Sequence, residues 1–160
     1  MSRDTSFGDE QFREIISDSE FDSDSEFDRD LVFVIMSYSN DLDDTYAAIK
    51  DECKKLRLNC VRADEAVGSG FILKIIHDYI ERAEFIIVDL THGRPNVYYE
   101  LGYAHGVGNS KNDILLVAKK GTDLHFDIAP LNVKFYKTLN ELKEIINKNL
   151  QFMIKITREI

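Results

Sequence analysis

The sequence predicts a three-layer α/β sandwich, with helices covering both faces of a five-stranded parallel sheet. Short runs that are apolar at every position alternate with amphipathic segments of helical period along residues 31–150. Such runs are typical of strands buried on both faces, and strands joined through helices are expected to pair in parallel by right-handed crossovers. Five strands within residues 31–160 fit the flavodoxin-like or Rossmann-like class, for which we expect the strand order 2-1-3-4-5.

The first half of this pattern contains two strands and two helices. Residues 31–36 are a continuous apolar run and predict the first strand. Asp43 and Asp44 offer an N-cap to a helix whose apolar residues are three or four positions apart, and 59–62 predicts a weaker second strand. A wide apolar stripe over 71–83 predicts the second helix.

The second half continues the alternation of strand and helix. Residues 85–90 predict a strongly apolar third strand, and the turn-forming residues 91–95 end it. Asn96 is expected to cap a third helix that ends at a pair of glycines. The remaining predicted elements are two strands and a last helix: 113–118, 133–136 and 139 to about 150.

The formal net charge of −9 is concentrated at the start of the chain. Residues 1–30, the acidic leader, hold 11 acidic and 3 basic side chains, whereas the domain over residues 31–160 holds 18 and 17. A domain with so balanced a charge lacks the basic surface that duplex DNA requires. The leader would be repelled by nucleic-acid phosphates and by anionic membranes, so we expect neither as a partner.

Targeting and redox signals predict a cytoplasmic chain. The longest apolar run, Leu31–Met36, is too short to cross a membrane, and the first ten residues lack the features of a signal peptide. Cys53 and Cys60 do not form a disulfide framework, and their spacing does not suit zinc. The four histidines have no metal-ligand spacing either, so we expect no metal and no cofactor.

The acidic leader contains a hexapeptide, SDSEFD, repeated without change over residues 17–28. Its composition predicts a disordered segment, or one that orders only on a partner. A solvated tail is the favoured interpretation, and the alternative is a docking peptide in which Phe21 and Phe27 anchor to a basic regulatory partner. We expect deletion of residues 1–28 to leave the fold and any activity intact while changing association or regulation.

The predicted strand order places a ligand site at the topological switch between the first and third strands. Ser37 and Tyr38 follow the first strand, and Asp89 ends the third. Asn96 and Glu100 are four residues apart and share one face of the following helix. If that face lies over the strand ends, Asp89 and Glu100 form the pair of carboxylates that glycosidic chemistry uses. On spacing alone, a surface glutamate at position 100 is an equal alternative.

Glycine and hydroxyl residues near this switch are candidate ligand contacts. Gly68, Ser69 and Gly70 precede the second helix, where backbone amides can cradle a phosphate or ribose. The alternative for these three residues is a tight strand-to-helix turn. The hydroxyls of Ser37 and Tyr38 suit sugar or phosphate contacts, with a polar turn as the alternative.

The segment 89–105, DLTHGRPNVYYELGYAH, resembles the nucleoside 2-deoxyribosyltransferase family. The glutamate of ELGYA, Glu100, matches the nucleophile of that family, so the resemblance implies that Glu100 attacks the anomeric carbon of a 2′-deoxynucleoside. It also implies that Asp89 contacts the leaving base or helps to protonate it. We add Asn96 and Tyr103 of the same segment to the candidate substrate-binding residues.

A second resemblance concerns the start of the domain. Residues 32–50, VFVIMSYSNDLDDTYAAIK, are similar to the opening of a TIR domain, and TIR enzymes also place a glutamate against the N-glycosidic bond of NAD. Together the two resemblances imply cleavage of an N-glycosidic bond, by hydrolysis or transfer, as in nucleotide-depleting antiphage effectors. A TIR-like NAD glycohydrolase and a non-enzymatic nucleotide-sensing module are the alternatives.

Three kinds of partner are expected. The first is a nucleoside or nucleotide substrate, whose phosphate would be met by Arg94 and by helix N-termini. The second is another copy of the chain, because homo-oligomers are usual in the deoxyribosyltransferase family. The apolar stretch 152–160 fits either packing on such a copy or completion of the domain's own core. The third is a regulatory protein bound through the acidic leader.

Overall fold

The structure is a computed structural model of the chain. It describes residues 28–63, 73–109, 113–125, 127–128 and 131–159. The predictions for the leader up to Phe27, and those for Gly68, Ser69 and Gly70, fall outside these residues and stay predictions.

Five parallel strands form one sheet in the order β2-β1-β3-β4-β5, which confirms the predicted fold class and strand order. Their bounds are Asp28–Ile35 (β1), Asn59–Arg62 (β2), Ala83–Asp89 (β3), Ile114–Lys119 (β4) and Val133–Tyr136 (β5). β1 begins before the apolar run because Asp28 already pairs with Ala83 of β3. Val34 pairs with Arg62 on one side and with Ile87 on the other, so β1, β2 and β3 end at the same edge of the sheet.

Four α-helices of the described residues flank this sheet. They are Asp43–Lys55 (α1), Leu73–Arg82 (α2), Pro95–Gly106 (α3) and Leu139–Arg158 (α4), and a 3-10 turn at Asn40–Leu42 precedes α1. None of these described helices combines the length and the hydropathy that crossing a bilayer requires.

Two helix starts differ from the predicted caps. Leu42 is the N-cap of α1, and both aspartates that follow it lie in the first turn, because the 3-10 turn runs directly into the helix. Arg94 is the N-cap of α3 because Pro95 occupies the first helical position, where its fixed φ and missing N–H suit a helix start. Asn96 therefore lies inside the first turn of α3 and does not cap it.

The last helix runs to Arg158, well beyond the predicted end near residue 150. Thr138 caps it by accepting a hydrogen bond from the backbone N–H of Glu141 at 3.1 Å. Met153 is buried and Ile154 packs against the core, so part of the C-terminal stretch completes the domain's own core.

The sheet separates two buried layers of apolar side chains. On one face, Phe85 and Ile87 of β3 pack with α1 and α4. On the other face, Ile86 and Val88 pack with α2 and α3. Because side chains alternate along a strand, Asp89 continues the row of Phe85 and Ile87 on the α1–α4 face.

Candidate functional site

The carboxyl ends of β1 and β3 lie side by side at the predicted switch point. Ser37 is buried just beyond the end of β1, whereas Tyr38 is 47% exposed. The segments that lead into α1 and α3 leave the sheet at this same edge. The structure therefore gathers Ser37, Tyr38 and Asp89 at one edge, and it places Glu100 in the second turn of α3.

Glu100 is a buried carboxylic acid, with 4% of its surface exposed. Its neighbours on the core-facing side of α3 are the apolar residues Val97, Leu101 and Ala104. Among the residues that the structure describes, none forms a hydrogen bond or an ion pair with Glu100. Burial alone raises the pKa of this carboxyl to about 7. The alternative of a surface glutamate is therefore wrong.

A buried carboxyl without a polar partner lowers the stability of the folded chain whenever it is ionised. Folded proteins keep few such groups, and those they keep are concentrated at functional sites, where burial adjusts the pKa of a reactive acid. The environment of Glu100 matches that pattern, because the cause of its raised pKa is burial.

The raised pKa of Glu100 predicts how stability depends on pH. Between the ordinary value of 4.5 and the folded value of about 7, the folded chain holds a proton that the unfolded chain releases. The free energy of unfolding should therefore fall by about 3 kcal/mol as pH rises through this range. The glutamine of Glu100→Gln cannot ionise, so the variant should not lose stability in this pH range. In urea, the variant should have a larger free energy of unfolding than the parent at about pH 8 and nearly the same one at about pH 5. A variant that is less stable than the parent at both pH values would contradict this account.

Asp89 lies in a different environment, with none of its surface exposed. Its Oδ1 accepts hydrogen bonds from the backbone N–H of Thr91 at 2.9 Å and from the Thr91 hydroxyl at 2.5 Å. Its Oδ2 accepts one from the Tyr136 hydroxyl at 2.6 Å. Burial raises the pKa of Asp89, although these hydrogen bonds act in the opposite direction. The carboxylate thus joins the end of β3 to the end of β5.

The two candidate carboxylates point to opposite faces of the sheet. Asp89 shares the α1–α4 face with Tyr136, its hydrogen-bond partner. Glu100 belongs to α3, which packs on the other face. No hydrogen bond joins the two among the described residues. This geometry therefore does not favour the predicted arrangement, in which Asp89 and Glu100 face one cleft. Side chains alternate along a strand, and this alternation points Asp89 away from α3.

The turn between β3 and α3 reverses the chain within a few residues. His92 and Gly93 are consecutive residues with positive φ, at 73° and 57°. His92 Nε2 lies 2.6 Å from Asp41 Oδ2, which connects this turn to the one that follows β1. The hydroxyl of Thr91 also accepts a hydrogen bond from the backbone N–H of Lys119 at 2.9 Å. These contacts hold the turn that leads into α3 and hence to Glu100.

The two other candidates on α3 lie in different surroundings. Asn96 is exposed in the first turn. Tyr103 lies between α3 and α2, where its ring stacks on His77 with centroids 3.7 Å apart. Its hydroxyl donates a hydrogen bond to Glu81 of α2, and this bond raises the pKa of Tyr103 to about 12. The Tyr103 hydroxyl is thus already engaged within the chain.

Arg62 is a further charged residue at this edge, and the sequence reasoning missed it. It ends β2 and is buried, with its guanidinium carbon 4.2 Å from the ring centroid of Tyr46 and 5.2 Å from that of Tyr38. Stacking on aromatic rings restrains the plane of a guanidinium group. The N–H groups at the edge of that plane then point in fixed directions. The available signal was an arginine at the end of a strand next to the switch point.

Metal-binding groups do not cluster in the part of the chain that the structure describes. No three histidine, cysteine, aspartate or glutamate side chains there are placed to hold a metal ion. Cys53 and Cys60 are buried free thiols.

Comparison with known proteins shows the fold. No family model matches the chain, and no curated protein is similar to it in sequence. A diflavin flavoprotein A3 from Nostoc sp. superposes with a TM-score of 0.55 and 15% identity, covering 84% of this chain and 97% of the other. A CMP N-glycosidase from Clostridium botulinum superposes with a TM-score of 0.51 and 17% identity, covering 72% and 97%.

Proposed function

We propose that this chain cleaves the N-glycosidic bond of a nucleoside or nucleotide, with Glu100 as the nucleophile. The observation that carries the proposal is Glu100 itself, a buried carboxyl of raised pKa in the second turn of the helix that begins at the switch-point edge. Two likenesses support the bond class: the ELGYA motif resembles that of nucleoside 2-deoxyribosyltransferases, and a CMP N-glycosidase shares the fold. A preference for a deoxyribose substrate is a further part of the proposal.

The proposed chemistry proceeds by two displacements at the anomeric carbon. A carboxylate oxygen of Glu100 bonds to this carbon while the bond to the base nitrogen breaks and its electron pair leaves with the base. The departing base takes up a proton from water. Water or a second base then attacks the same carbon, and the bond from the sugar to Glu100 breaks with its electron pair returning to the carboxylate. The attacking group loses a proton, which neutralises the hydroxide left by the first step, and the sugar leaves free or bound to the second base. Burial favours the first step, because forming the ester removes a charge from a poorly hydrated site.

The proposed substrate contacts come from the loops at the same edge. Ser37 and Tyr38 offer hydroxyls to the sugar or phosphate, and Asn96 offers an exposed amide at the start of α3. Arg62 and Arg94 supply positive charge at this edge, which a 5′-phosphate would require. The Gly68–Gly70 segment remains a proposed backbone cradle for phosphate or ribose.

Asp89 and Tyr103 are proposed to support the site without touching the reacting atoms. Asp89 holds the β3–α3 turn through Thr91 and ties it to β5 through Tyr136, so both of its carboxylate oxygens are engaged within the chain. Tyr103 fixes α3 against α2 through His77 and Glu81, one turn beyond Glu100.

The proposed role of Glu100 predicts the pH dependence of base release. A nucleophilic carboxylate must be ionised, and the pKa of Glu100 in the free chain is about 7. The value of kcat/KM should therefore fall about tenfold per pH unit below about pH 7 and level off above it. Free base measured by chromatography over about pH 5–9 tests this. A profile that is flat down to about pH 5 would contradict the assignment of Glu100.

A further inference from the structure

A groove with a largely apolar lining lies at the amino end of the sheet, the end opposite to the switch point. Its volume is about 720 Å³. It is bounded by the end of α3, the first half of β4, the start of β5 with the residues before it, and the second half of α4. Its apolar lining comprises Ile114, Leu116, Leu131, Phe152, Met153 and Ile156.

The groove exists because β5 is shorter than β4. The pairing of the two strands begins at Leu116 with Val133, so the first residues of β4 extend past the start of β5. Phe152 lines the groove beside these residues and is 60% exposed, which is unusual for a phenylalanine. Among the described residues, no strand pairs with this side of β4 before Leu116, and a strand edge without a strand partner is a typical acceptor for an extended segment of chain.

The charged side chain in the groove lining is Lys134, whereas the leader is acidic. Lys134 and His105 line the groove, and no acidic side chain lines it among the described residues. The last part of α4, residues 147–158, carries three basic residues and no acidic one. Residues 1–27 of the leader carry nine acidic and two basic residues, and both copies of its repeat place a phenylalanine among acidic side chains.

The leader enters the domain at the same end of the sheet. Asp30, near the start of β1, forms an ion pair of 2.6 Å with Arg158, two residues beyond Ile156 of the groove. Strand spacing and register place Ile114 about 10 Å sideways from Asp28 and about 10 Å further along the sheet. The seven residues from Phe21 to Asp28 span about 23 Å when extended, which is enough to reach the groove.

We propose that the leader docks in this groove of its own chain, with Phe21 as the apolar anchor. Phe21 has the reach, and the acidic residues on both sides of it would be brought near Lys134 and the basic last part of α4. Phe27 has the same neighbours in the repeat, but it directly precedes β1 and is too close to Asp28 to enter the groove. Docking would cover the first residues of β4, which have no partner on the β5 side among the described strands.

A disulfide-trapping experiment on the full chain tests this contact. Ser23→Cys is combined with Asn132→Cys at the groove, and the control combines Ser23→Cys with Ala47→Cys on the exposed side of α1. The two natural cysteines are buried and stay out of the reaction. Mild oxidation should form a disulfide within one chain for the groove pair and much less for the control pair.

Two further substitutions identify the anchor. In the groove pair, Phe21→Ala should lower the yield of the disulfide about tenfold, because it removes a buried aromatic side chain. Phe27→Ala is the matched control and should leave the yield unchanged. A disulfide between two chains, equal yields in both cysteine pairs, or equal effects of the two phenylalanine substitutions would overturn the proposal.

Discussion

The Glu100→Gln variant is expected to release free base at least about 10³-fold more slowly than the parent chain, because an amide oxygen cannot replace a carboxylate as nucleophile. Glutamine has nearly the same shape as glutamate and carries no charge. It should therefore pack well at position 100, where burial already disfavours the ionised carboxylate. The loss of activity should therefore come without a loss of folded protein. Chromatography of the free base and urea unfolding, done on the same preparation, measure the two properties separately.

Glu144→Gln is the matched control for this substitution. Glu144 is an exposed glutamate on α4, on the other side of the sheet from α3. We expect its replacement to change neither base release nor stability beyond about 0.5 kcal/mol. Parent-like base release by Glu100→Gln would remove Glu100 from the mechanism. Equal losses in both variants would point to a general effect of charge.

The Asp89→Ala variant is expected to have the largest effect on stability. It removes the acceptor of two hydrogen bonds from Thr91 and one from Tyr136, all of them buried. Leaving these donors unpaired should lower the free energy of unfolding by about 3 kcal/mol or more, as measured in urea. Tyr136→Phe removes only one of the three hydrogen bonds, and we expect it to cost about 1 kcal/mol.

Asp123→Ala is the control for Asp89, because Asp123 is an exposed aspartate in the loop after β4. It should unfold like the parent chain. The double variant Asp89→Ala with Tyr136→Phe should be more stable than the sum of the single effects predicts, because the two side chains share one hydrogen bond. Independent effects of the two substitutions would show that Asp89 does not act through Tyr136.

Much of the fold was predictable because strands buried on both faces have continuous apolar sequences. The bounds of β2 and β5 agree with the predicted 59–62 and 133–136. The helix caps were less predictable, since Pro95 moved the start of α3 away from Asn96. The length of α4 was also missed, because its final residues look like an independent apolar stretch until Met153 is seen in the core.

The candidate site was predictable in part. The position of Glu100 on the helix after β3 follows from its motif and from the strand order, but its burial depends on tertiary packing that no local pattern reports. The face of the sheet to which Asp89 points could have been predicted from the sequence. Asp89 lies two residues after Ile87 and four after Phe85, and strand side chains two residues apart share a face. What the sequence could not show is which helices cover that face. Arg62 was missed because its aromatic neighbours come from distant parts of the chain.

The most direct test is to measure free-base release by the purified full chain. The panel contains deoxynucleosides, deoxynucleotides, CMP and NAD, and chromatography detects the base and the sugar product. The account predicts that at least one nucleoside or nucleotide yields equal amounts of free base and of sugar or transferred sugar, and that Glu100→Gln abolishes this release. Folded chain that binds a nucleotide by calorimetry and releases no base from any compound would contradict it and support a nucleotide-sensing module. Cleavage of NAD alone would support the TIR-like alternative instead.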